Sequence, residues 1–402
     1  MIGRLGRRWG YALCPAGVAE LADAPGLGPG GLRPLEVRLL SPALLQARLL
    51  PAGVAALLCA LLTGCSGGKH LEPRLESVVL TVPAGNGGAP FDVTRRMSLP
   101  AGWSAEVWAR VSGARFGAWT PEGALLVSRP LAGAVVRLTP QADPSSPPQQ
   151  RLLVSGLVDP QGLAFDTLDG TEVLYVVEST ELDRYVWHGA AGVGLRTVVA
   201  RDLPDPDGIE RRKGIAIGRD HTIYVSVGSR SSRPGPRGVV LAFRPGGARL
   251  TFAGGVGNGV GLSIDPSGTL WTAANRGEGA APDGLARLTP GRHVDRFDRS
   301  IPAHSAPLGL HFLEGSKLPG PWSGGAVLAV HGSLDPRLRA PALLWLPWVD
   351  GTLGPPRTVA AGFRLPDRAR WGRPVDAVPG ADGALYVTDD AAGAVYRLVP
   401  PR

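Results

Sequence analysis

The sequence contains little cysteine. Its 402 residues include only Cys14, Cys59 and Cys65, which are too few for the disulfide framework of a small secreted domain and lack the Cys/His spacing of a zinc site. A Gly-rich phosphate loop and the chain order of Ser, His and Asp typical of serine hydrolases are missing too. These absences argue against a zinc enzyme, a kinase and a serine hydrolase.

Lysine is also scarce, and its scarcity affects how the positive charge is interpreted. Lysine and arginine together number 42 against 34 acidic residues, which gives a net charge of +8, yet the lysines are only Lys69, Lys213 and Lys317. The arginines form no dense basic run with interleaved aromatic residues. The sequence therefore predicts no nucleic-acid partner.

Charged residues of both signs make up only 19% of the chain, whereas hydrophobic residues make up 44%. This balance favours a folded core over disorder. The chain also contains 57 glycines and 39 prolines, and these residues would interrupt α-helices throughout. A large helical protein is therefore disfavoured.

Long hydrophobic runs are missing as well. The apolar run over residues 54–62 is too short for a confident spanning helix, but it follows Arg48 and ends in the sequence LTGC at residues 62–65. A positive flank, a short apolar core and small residues are typical of a secretory signal, and LTGC resembles the lipobox of bacterial lipoproteins. We therefore predict a lipoprotein signal peptide over residues 44–64, with Cys65 as the lipidated residue. The product is expected to be exported and anchored by its lipid in the periplasm, the outer membrane or the cell surface.

This signal begins well inside the sequence. Residues 17–38 resemble the in-frame translation of a leucine tRNA gene, so residues 1–43 are interpreted as an extension from a start codon assigned too early. The alternative is a genuine low-complexity extension.

A β-rich phrase recurs six times in the remainder of the chain. In each copy a turn containing Gly, Asp or Pro leads into a short apolar strand, and a further apolar run lies on either side. The aligned central residues of successive copies are 47 to 58 residues apart. A unit of three or four strands repeated in this way predicts an all-β fold, a six-bladed β-propeller, with a pair of β-sandwiches as the alternative. The copies are residues 121–129, 169–179, 219–229, 266–276, 323–333 and 381–390.

The propeller is predicted to occupy residues 98–402, after a tether and lead-in over residues 65–97. Residues 100–111 carry one strand more than the repeats need. We expect this strand to complete the last blade together with tail residues 391–400, and so to close the ring.

Four phrases within the repeats resemble the glucose/sorbosone dehydrogenase family, whose members are secreted or periplasmic six-bladed propellers. The resemblance implies oxidation of a sugar or sugar aldehyde with pyrroloquinoline quinone (PQQ) and usually calcium. It leaves the electron acceptor open. The phrases are VDPQGLAFD (158–166), IAIGRDHTIYVSVGS (215–229), HSAPLGLHF (304–312) and WGRPVDAVPGADGALYVTDD (371–390).

The resemblance also implies where the site lies, namely where loops enter the innermost strands around the central channel. Cations at these positions would pair with the carboxylates of the cofactor in forked geometry, and Asn258 would hydrogen-bond a quinone oxygen. The implied cofactor-binding residues are Arg115, Gln161, Arg211, Asn258, His304, Arg373 and Asp376.

The catalytic base is expected at Glu210, because the segment DPDGIERRKGIAIG (205–218) lacks the His that the family usually has there. A Glu with its ordinary pKa of about 4.3 is a weak base unless burial raises that value. A non-catalytic propeller that binds a ligand or a protein is therefore the alternative. A third reading is a metal-dependent lactonase, for which Glu210, Asn258 and Asp376 are the obvious ligands.

Several other polar residues keep two interpretations. His331 at a strand end either contacts the channel or is structural, and Asp389 and Asp390 either bind calcium or form a turn. Glu278 and Asp283 likewise form either a calcium loop or an ordinary one. The remaining histidines have no partner at ligand spacing and are expected to be structural: His188, His221, His293 and His311.

Overall fold

The computed structural model of the chain describes residues 73–143, 146–205, 212–228, 238–276 and 280–401. The predicted signal peptide and Cys65 lie outside these ranges, and so do Glu210, Arg211 and Glu278. The described residues form β-strands, turns and short 3-10 helices, with no α-helix among them. No helix in these ranges combines the length and the apolar character needed to cross a membrane.

The described strands form the blades of a six-bladed propeller, preceded by three strands at the N-terminal side. The first three are β1 (Leu75–Thr81), β2 (Arg96–Pro100) and β3 (Ser104–Arg110). Blade 1 comprises β4 (Gly117–Trp119), β5 (Leu125–Arg129), β6 (Ala134–Thr139) and β7 (Gln149–Ser155). Blade 2 comprises β8 (Leu163–Leu168), β9 (Thr171–Val177), β10 (Leu182–Trp187) and β11 (Val193–Ala200). Blade 3 comprises β12 (Ile215–Ile217), β13 (Ile223–Val227), β14 (Val239–Phe243) and β15 (Arg249–Gly254).

The second half of the ring repeats the same antiparallel order. Blade 4 comprises β16 (Asn258–Ile264), β17 (Leu270–Asn275), β18 (Asp283–Leu288) and β20 (Arg299–Ile301), with β19 (Arg292–His293) paired to the edge of blade 3. Blade 5 comprises β21 (Pro307–Phe312), β22 (Ala326–Val330), β23 (Ala342–Leu346) and β26 (Arg357–Ala360), next to a hairpin of β24 (Trp348–Val349) and β25 (Thr352–Leu353). Blade 6 contains β27 (Pro374–Pro379), β28 (Leu385–Asp389) and β29 (Ala394–Val399).

The last blade is closed by a strand from the start of the fold, as predicted. Strand β3 pairs antiparallel with β29, from Ala394 opposite Arg110 to Val399 opposite Ser104. Strand β1 then adds to β3 in parallel, and β2 adds to β1, so this sheet has six strands. The lead-in before residue 98 thus contributes strands that the repeat pattern did not indicate.

Aromatic and aliphatic side chains from the central strands fill the space between blades. Tyr386 of blade 6 packs edge-on against Trp108 and Trp119, with ring centroids 4.7 and 4.9 Å apart. Trp271 and Leu126, which occupy the same repeat position in blades 4 and 1, are fully buried. The repeated large apolar residue is therefore a core position in these blades, whereas its equivalent in blade 3, Tyr224, is partly buried.

The innermost strands β4, β8, β12, β16, β21 and β27 contact one another in sequence around the axis. Glycines allow this close approach. A Cβ atom at Gly214 would lie 1.8 Å from the carbonyl oxygen of Val260, and one at Gly261 would lie 2.1 Å from that of Leu308. The channel between these strands is accordingly narrow, with a volume of about 40 Å³. The channel itself therefore has room for little more than water.

Candidate active site

A cavity of about 310 Å³ lies at the end of the channel where the inner strands begin. Asn258, His304 and Arg373, three of the residues implied by the resemblance, line it. Arg212 and His331 line it as well. Arg212 directly follows Arg211, the residue that the resemblance implies, and His331 is one of the residues with two interpretations. The structure therefore brings side chains from blades 3, 4, 5 and 6 to one cavity.

Arg115 and Gln161 are buried where the loops before the inner strands of blades 1 and 2 end. Arg115 donates from Nη1 to Oδ2 of Asp390 at 2.6 Å. The second oxygen of that carboxylate, Oδ1, lies 2.9 Å from Nε2 of His331. Asp390 thus joins a predicted cofactor-binding residue to a histidine of the cavity.

The charges of this group set the protonation state of His331. Burial, together with the positive charges of Arg373 and Arg115, outweighs the hydrogen bond to Asp390 and lowers the pKa of His331 to about 4. Burial alone would raise the pKa of Asp390, but the hydrogen bond from His331 and the charge of Arg115 hold that pKa well below its ordinary value. At neutral pH the pair is therefore a neutral imidazole beside a carboxylate.

Positive charge is in excess at this end of the channel. Repulsion from Arg115 and burial lower the pKa of Arg212 to about 10, although Asp390 and Asp159 act in the opposite direction. Burial, with repulsion from Arg370 and Arg115, lowers the pKa of Arg373 to about 10 despite the charge of Asp390. Guanidinium groups that repel one another in a partly buried cavity favour an anionic ligand.

Several buried polar atoms here have no hydrogen-bond partner among the described residues. They are Nε and Nη2 of Arg115, Oε1 of Gln161 and Oδ1 of Asn258. Arg115, Gln161 and Asn258 expose only 3%, 2% and 7% of their surfaces to solvent. Asn258 lines the cavity, whereas Arg115 and Gln161 are buried and are not among its lining residues. Buried polar groups are nearly always paired in folded proteins, so these atoms are candidates to bond a polar ligand.

Two of the aspartates considered for calcium, Asp389 and Asp283, accept hydrogen bonds from backbone amides, whereas the third, Asp390, bonds Arg115 and His331. Asp389 accepts hydrogen bonds from the amides of Arg373 at 2.7 Å and Ala392 at 2.8 Å, and burial raises its pKa to about 6. Asp283 accepts from the amides of Arg276 at 2.9 Å and Ala306 at 3.0 Å. Both carboxylates therefore hold loops that border the cavity, and their oxygens are occupied by N–H donors.

His304 stands on one of these loops. Its backbone has a φ of +61°, in the left-handed region, and Ala306 two residues later has a φ of +48°. Non-glycine residues adopt such angles only where their surroundings hold them there. The hydrogen bond from the Ala306 amide to Asp283 fixes the loop in this conformation. His304 therefore has a fixed position at the cavity.

Asp376 lies apart from the other predicted residues. Its side chain lines the narrow channel, where Oδ1 lies 2.7 Å from Nε2 of His311 and Oδ2 accepts from the amide of Gly117 at 3.0 Å. Although burial acts against it, the charge of Asp376 raises the pKa of His311. His311, expected to have no side-chain partner, forms this pair because blades 5 and 6 are adjacent in the ring, a relationship that sequence spacing does not show.

One group of three acidic side chains in the described residues is close enough to hold a metal ion, and it lies in blade 2. Oxygens of Glu178, Glu181 and Asp183 lie within 4.8 Å of one another. Arg196, however, contacts all three, at 3.5, 2.6 and 2.8 Å. A guanidinium therefore already supplies the positive charge at this position.

Solved structures with the same fold include two sugar dehydrogenases described with PQQ and a carbohydrate-active enzyme. The chain is similar to the holo PQQ domain of pyranose dehydrogenase from Coprinopsis cinerea, with a TM-score of 0.65 and 14% identity over 79% of this chain and 100% of that one. A Trichoderma reesei enzyme of carbohydrate-active family AA12 has a TM-score of 0.63 and 16% identity over 75% and 97%. The PQQ-bound aldose sugar dehydrogenase of Streptomyces coelicolor has a TM-score of 0.54 and 18% identity over 75% and 99%. These similarities establish the six-bladed propeller fold.

Comparisons of sequence cover a smaller part of the chain than the comparisons of structure. No protein-family model matches the chain. An uncharacterized protein of Borreliella burgdorferi is 33% identical over 101 residues, which is 24% of this chain. The match spans 27% of the length of that protein.

Proposed function

We propose that the chain is an oxidoreductase that uses PQQ to oxidise a sugar or an aldehyde at this cavity. The observation that carries the proposal is the buried excess of guanidinium groups, together with the unpartnered N–H groups of Arg115. PQQ is a carboxylate-rich anion, so its chemistry matches a site that has cations and hydrogen-bond donors to satisfy. The volume of about 310 Å³ lies at the lower end of the range for small-molecule sites.

The donor set indicates which residues would hold the cofactor. Arg115, Arg212 and Arg373 would pair with its carboxylates, and Gln161 and Asn258 would accept or donate hydrogen bonds through atoms that have no partner in the protein. When bound, PQQ supplies a two-electron acceptor for the hydride that leaves the carbinol carbon of the substrate.

The protein itself has to remove the hydroxyl proton of the substrate. We assign this step to His331, whose Nε2–H bond to Asp390 leaves the lone pair on Nδ1. Its pKa of about 4 would make it a weak base in the free protein, so the assignment requires that an anionic cofactor neutralise Arg115 and Arg373 and raise that pKa. Asp390 fixes the tautomer and the orientation of the ring, and stabilises the imidazolium that forms when the O–H bond breaks and the N–H bond forms. Glu210, the base expected from the sequence, lies outside the described residues and stays a prediction.

Calcium is the second component expected from the resemblance. The acidic group of blade 2 is neutralised by Arg196 and lies outside the residues that line the cavity. Calcium prefers six to eight oxygen ligands. In this proposal a calcium ion at the cavity would take oxygens from Asp335 and Asn258, which line it, together with backbone carbonyls and oxygens that arrive with the ligand.

Titration of the purified protein with PQQ, with and without calcium, tests the proposal, followed by dye reduction with a panel of aldoses and aldehydes. Saturable binding and turnover are expected. Binding without turnover would favour the non-catalytic alternative. Absence of both would overturn the proposal.

A further inference from the structure

The cavity has an aliphatic side as well as a cationic one. Leu334 and Leu338 line it, yet 66% and 45% of their surfaces are exposed to solvent. Ala306, Pro307 and Leu308 continue this apolar wall. Leucines that are exposed together beside a concave polar site are typical of a surface that a ligand covers.

Three arginines hold the segment that carries the two leucines. Arg373 donates to the carbonyls of His331 at 3.1 Å and Gly332 at 3.0 Å. Arg364 donates from Nη1 to the carbonyls of Pro336 at 2.8 Å and Leu338 at 2.9 Å.

Arg370 completes the set with bonds to the carbonyls of Ser333 and Leu334. Residues 331–338 thus form a lip fixed through six backbone carbonyls. Its aliphatic side chains are Leu334 and Leu338, and its carboxylate, Asp335, is paired with Arg337 at 2.7 Å. A fixed lip loses little conformational freedom when it binds a ligand.

The chemistry of the lip indicates the kind of ligand. None of the described residues that line the cavity is Trp, Tyr or Phe, so no aromatic ring is available there to stack on the face of a bare sugar. The lining offers branched aliphatic groups next to His331. These match a flexible alkyl chain attached to the carbon that is oxidised.

We propose that the substrate is an aldehyde with an aliphatic chain, whose chain covers Leu334 and Leu338. This inference rests on the proposed function. The hydrated aldehyde would lose a hydride to the quinone and its hydroxyl proton to His331, so that the C–H and O–H bonds break, a C=O bond forms and the product is a carboxylic acid. The two electrons and one proton of the hydride reduce the cofactor, and the second proton leaves through the imidazole.

The test uses chain length as its variable. With PQQ-loaded protein, kcat/KM for butanal, hexanal and octanal should rise by about twofold to fourfold per methylene. Binding of butyl, hexyl and octyl glucosides to the protein without PQQ should show the same trend by calorimetry. The double variant Leu334→Ser/Leu338→Ser should lose the trend in both measurements.

Leu195→Ser is the matched control, because Leu195 is 74% exposed on β11 and does not line the cavity. It should leave the dependence on chain length unchanged. No trend in the unaltered protein, or an equal trend in the double variant, would overturn the inference. Oxidation of glucose without any trend would leave the proposed function intact, whereas a trend in glucoside binding without PQQ binding would support the lip and contradict the proposed function.

Discussion

The Nε2 atom of His331 lies 2.9 Å from Oδ1 of Asp390, although the two residues are 59 positions apart and belong to adjacent blades. Arg115 approaches the other carboxylate oxygen to 2.6 Å. A carboxylate that orients a neutral imidazole in a cavity is an arrangement suited to proton transfer. Among the described histidines, His221 and His293 also lie beside an aspartate, but those two pairs are exposed, whereas His331 is buried at the cavity, as a general base would be.

Replacement of His331 by Gln is expected to lower kcat by about 10²–10⁴-fold, because general-base catalysis contributes on that order. The affinity for PQQ should change by less than tenfold, since the arginines remain. Stopped-flow reduction of the bound cofactor measures the change in rate, and a PQQ titration measures the change in affinity.

His221→Gln is the control for this change. Nδ1 of His221 also lies 2.9 Å from an aspartate, Asp166, but this pair is exposed and does not line the cavity. Its removal should leave kcat unchanged. Equal turnover in both variants would rule out His331 as the base.

PQQ binding should be accompanied by proton uptake. The pKa of His331 is lowered to about 4 by burial and by Arg373 and Arg115, and an anion that neutralises these arginines would raise it. By linkage, a ligand that raises a pKa binds more tightly in the protonated form, so the affinity should rise as the pH falls from 8 to 5.

Calorimetric titration in two buffers of different ionisation enthalpy measures this uptake, which should be at most one proton and should disappear in His331→Gln. Proton release, or uptake that persists in the variant, would contradict the assignment.

Glu178 should make the fold less stable at alkaline pH. Burial and the neighbouring Asp183 raise its pKa from 4.5 to about 7. A raised carboxyl pKa means that the contribution to stability is full below the unfolded value and is lost as the pH rises through 7. Glu178→Gln should therefore increase the free energy of unfolding by about 2–3 kcal/mol at pH 8 and change it little at pH 5.

The amide of the new Gln can donate to Oδ1 of Asp183, a buried oxygen without a hydrogen-bond partner in the described residues. Urea denaturation at the two pH values measures the effect, and Glu172→Gln, at the other end of β9, serves as the control. A loss of stability at pH 8 would show that Glu178 is needed as a carboxylate.

The pair of His311 and Asp376 should stabilise the ring without contributing to cofactor binding. Asp376 raises the pKa of His311 despite burial, so the ion pair contributes fully below the ordinary histidine pKa and fades as the pH rises through the raised value. His311→Gln should lower the free energy of unfolding by about 1.5–3 kcal/mol at pH 5.5 and by less at pH 9.

Denaturant titrations at both pH values, with a PQQ titration alongside, test this. An affinity within twofold of the unaltered protein is expected. A large drop in PQQ affinity would contradict this prediction and would show that Asp376 and His311 contribute to cofactor binding.

Much of the architecture could be predicted from the sequence because each blade repeats its own pattern. The spacing of Leu126, Tyr175 and their equivalents reflects one buried or partly buried position per blade, and the spare strand before the first repeat predicted the closure through β3. Strands β1 and β2 could not be predicted, since residues 75–97 carry no repeat and pair only with a blade completed by the C-terminus.

The site was less accessible to prediction. Arg115, Asn258 and Arg373 precede inner strands, so the resemblance could place them. The pairs His331–Asp390 and His311–Asp376 join neighbouring blades and depend on radial packing, which spacing along the chain does not encode. The three arginines of the lip donate hydrogen bonds to backbone carbonyls. Every residue has a carbonyl, so such contacts cannot be predicted from the types of residue in the sequence.

We expect this end of the channel to bind an anion, the carboxylate-rich quinone PQQ. Arg115→Gln removes one of its cations, and Asn258→Asp adds a negative charge there with almost no change in shape. Arg151→Gln, at an exposed position on β7, removes a positive charge outside the cavity. Thermal unfolding of each variant shows whether it is folded.

The decisive measurement is the dissociation constant of PQQ for these four proteins by calorimetry. We expect saturable binding to the unaltered protein, binding weaker by about 10- to 100-fold in folded Arg115→Gln and Asn258→Asp, and unchanged binding in Arg151→Gln. Absence of binding to the unaltered protein, or equal affinity in all four, would contradict this expectation.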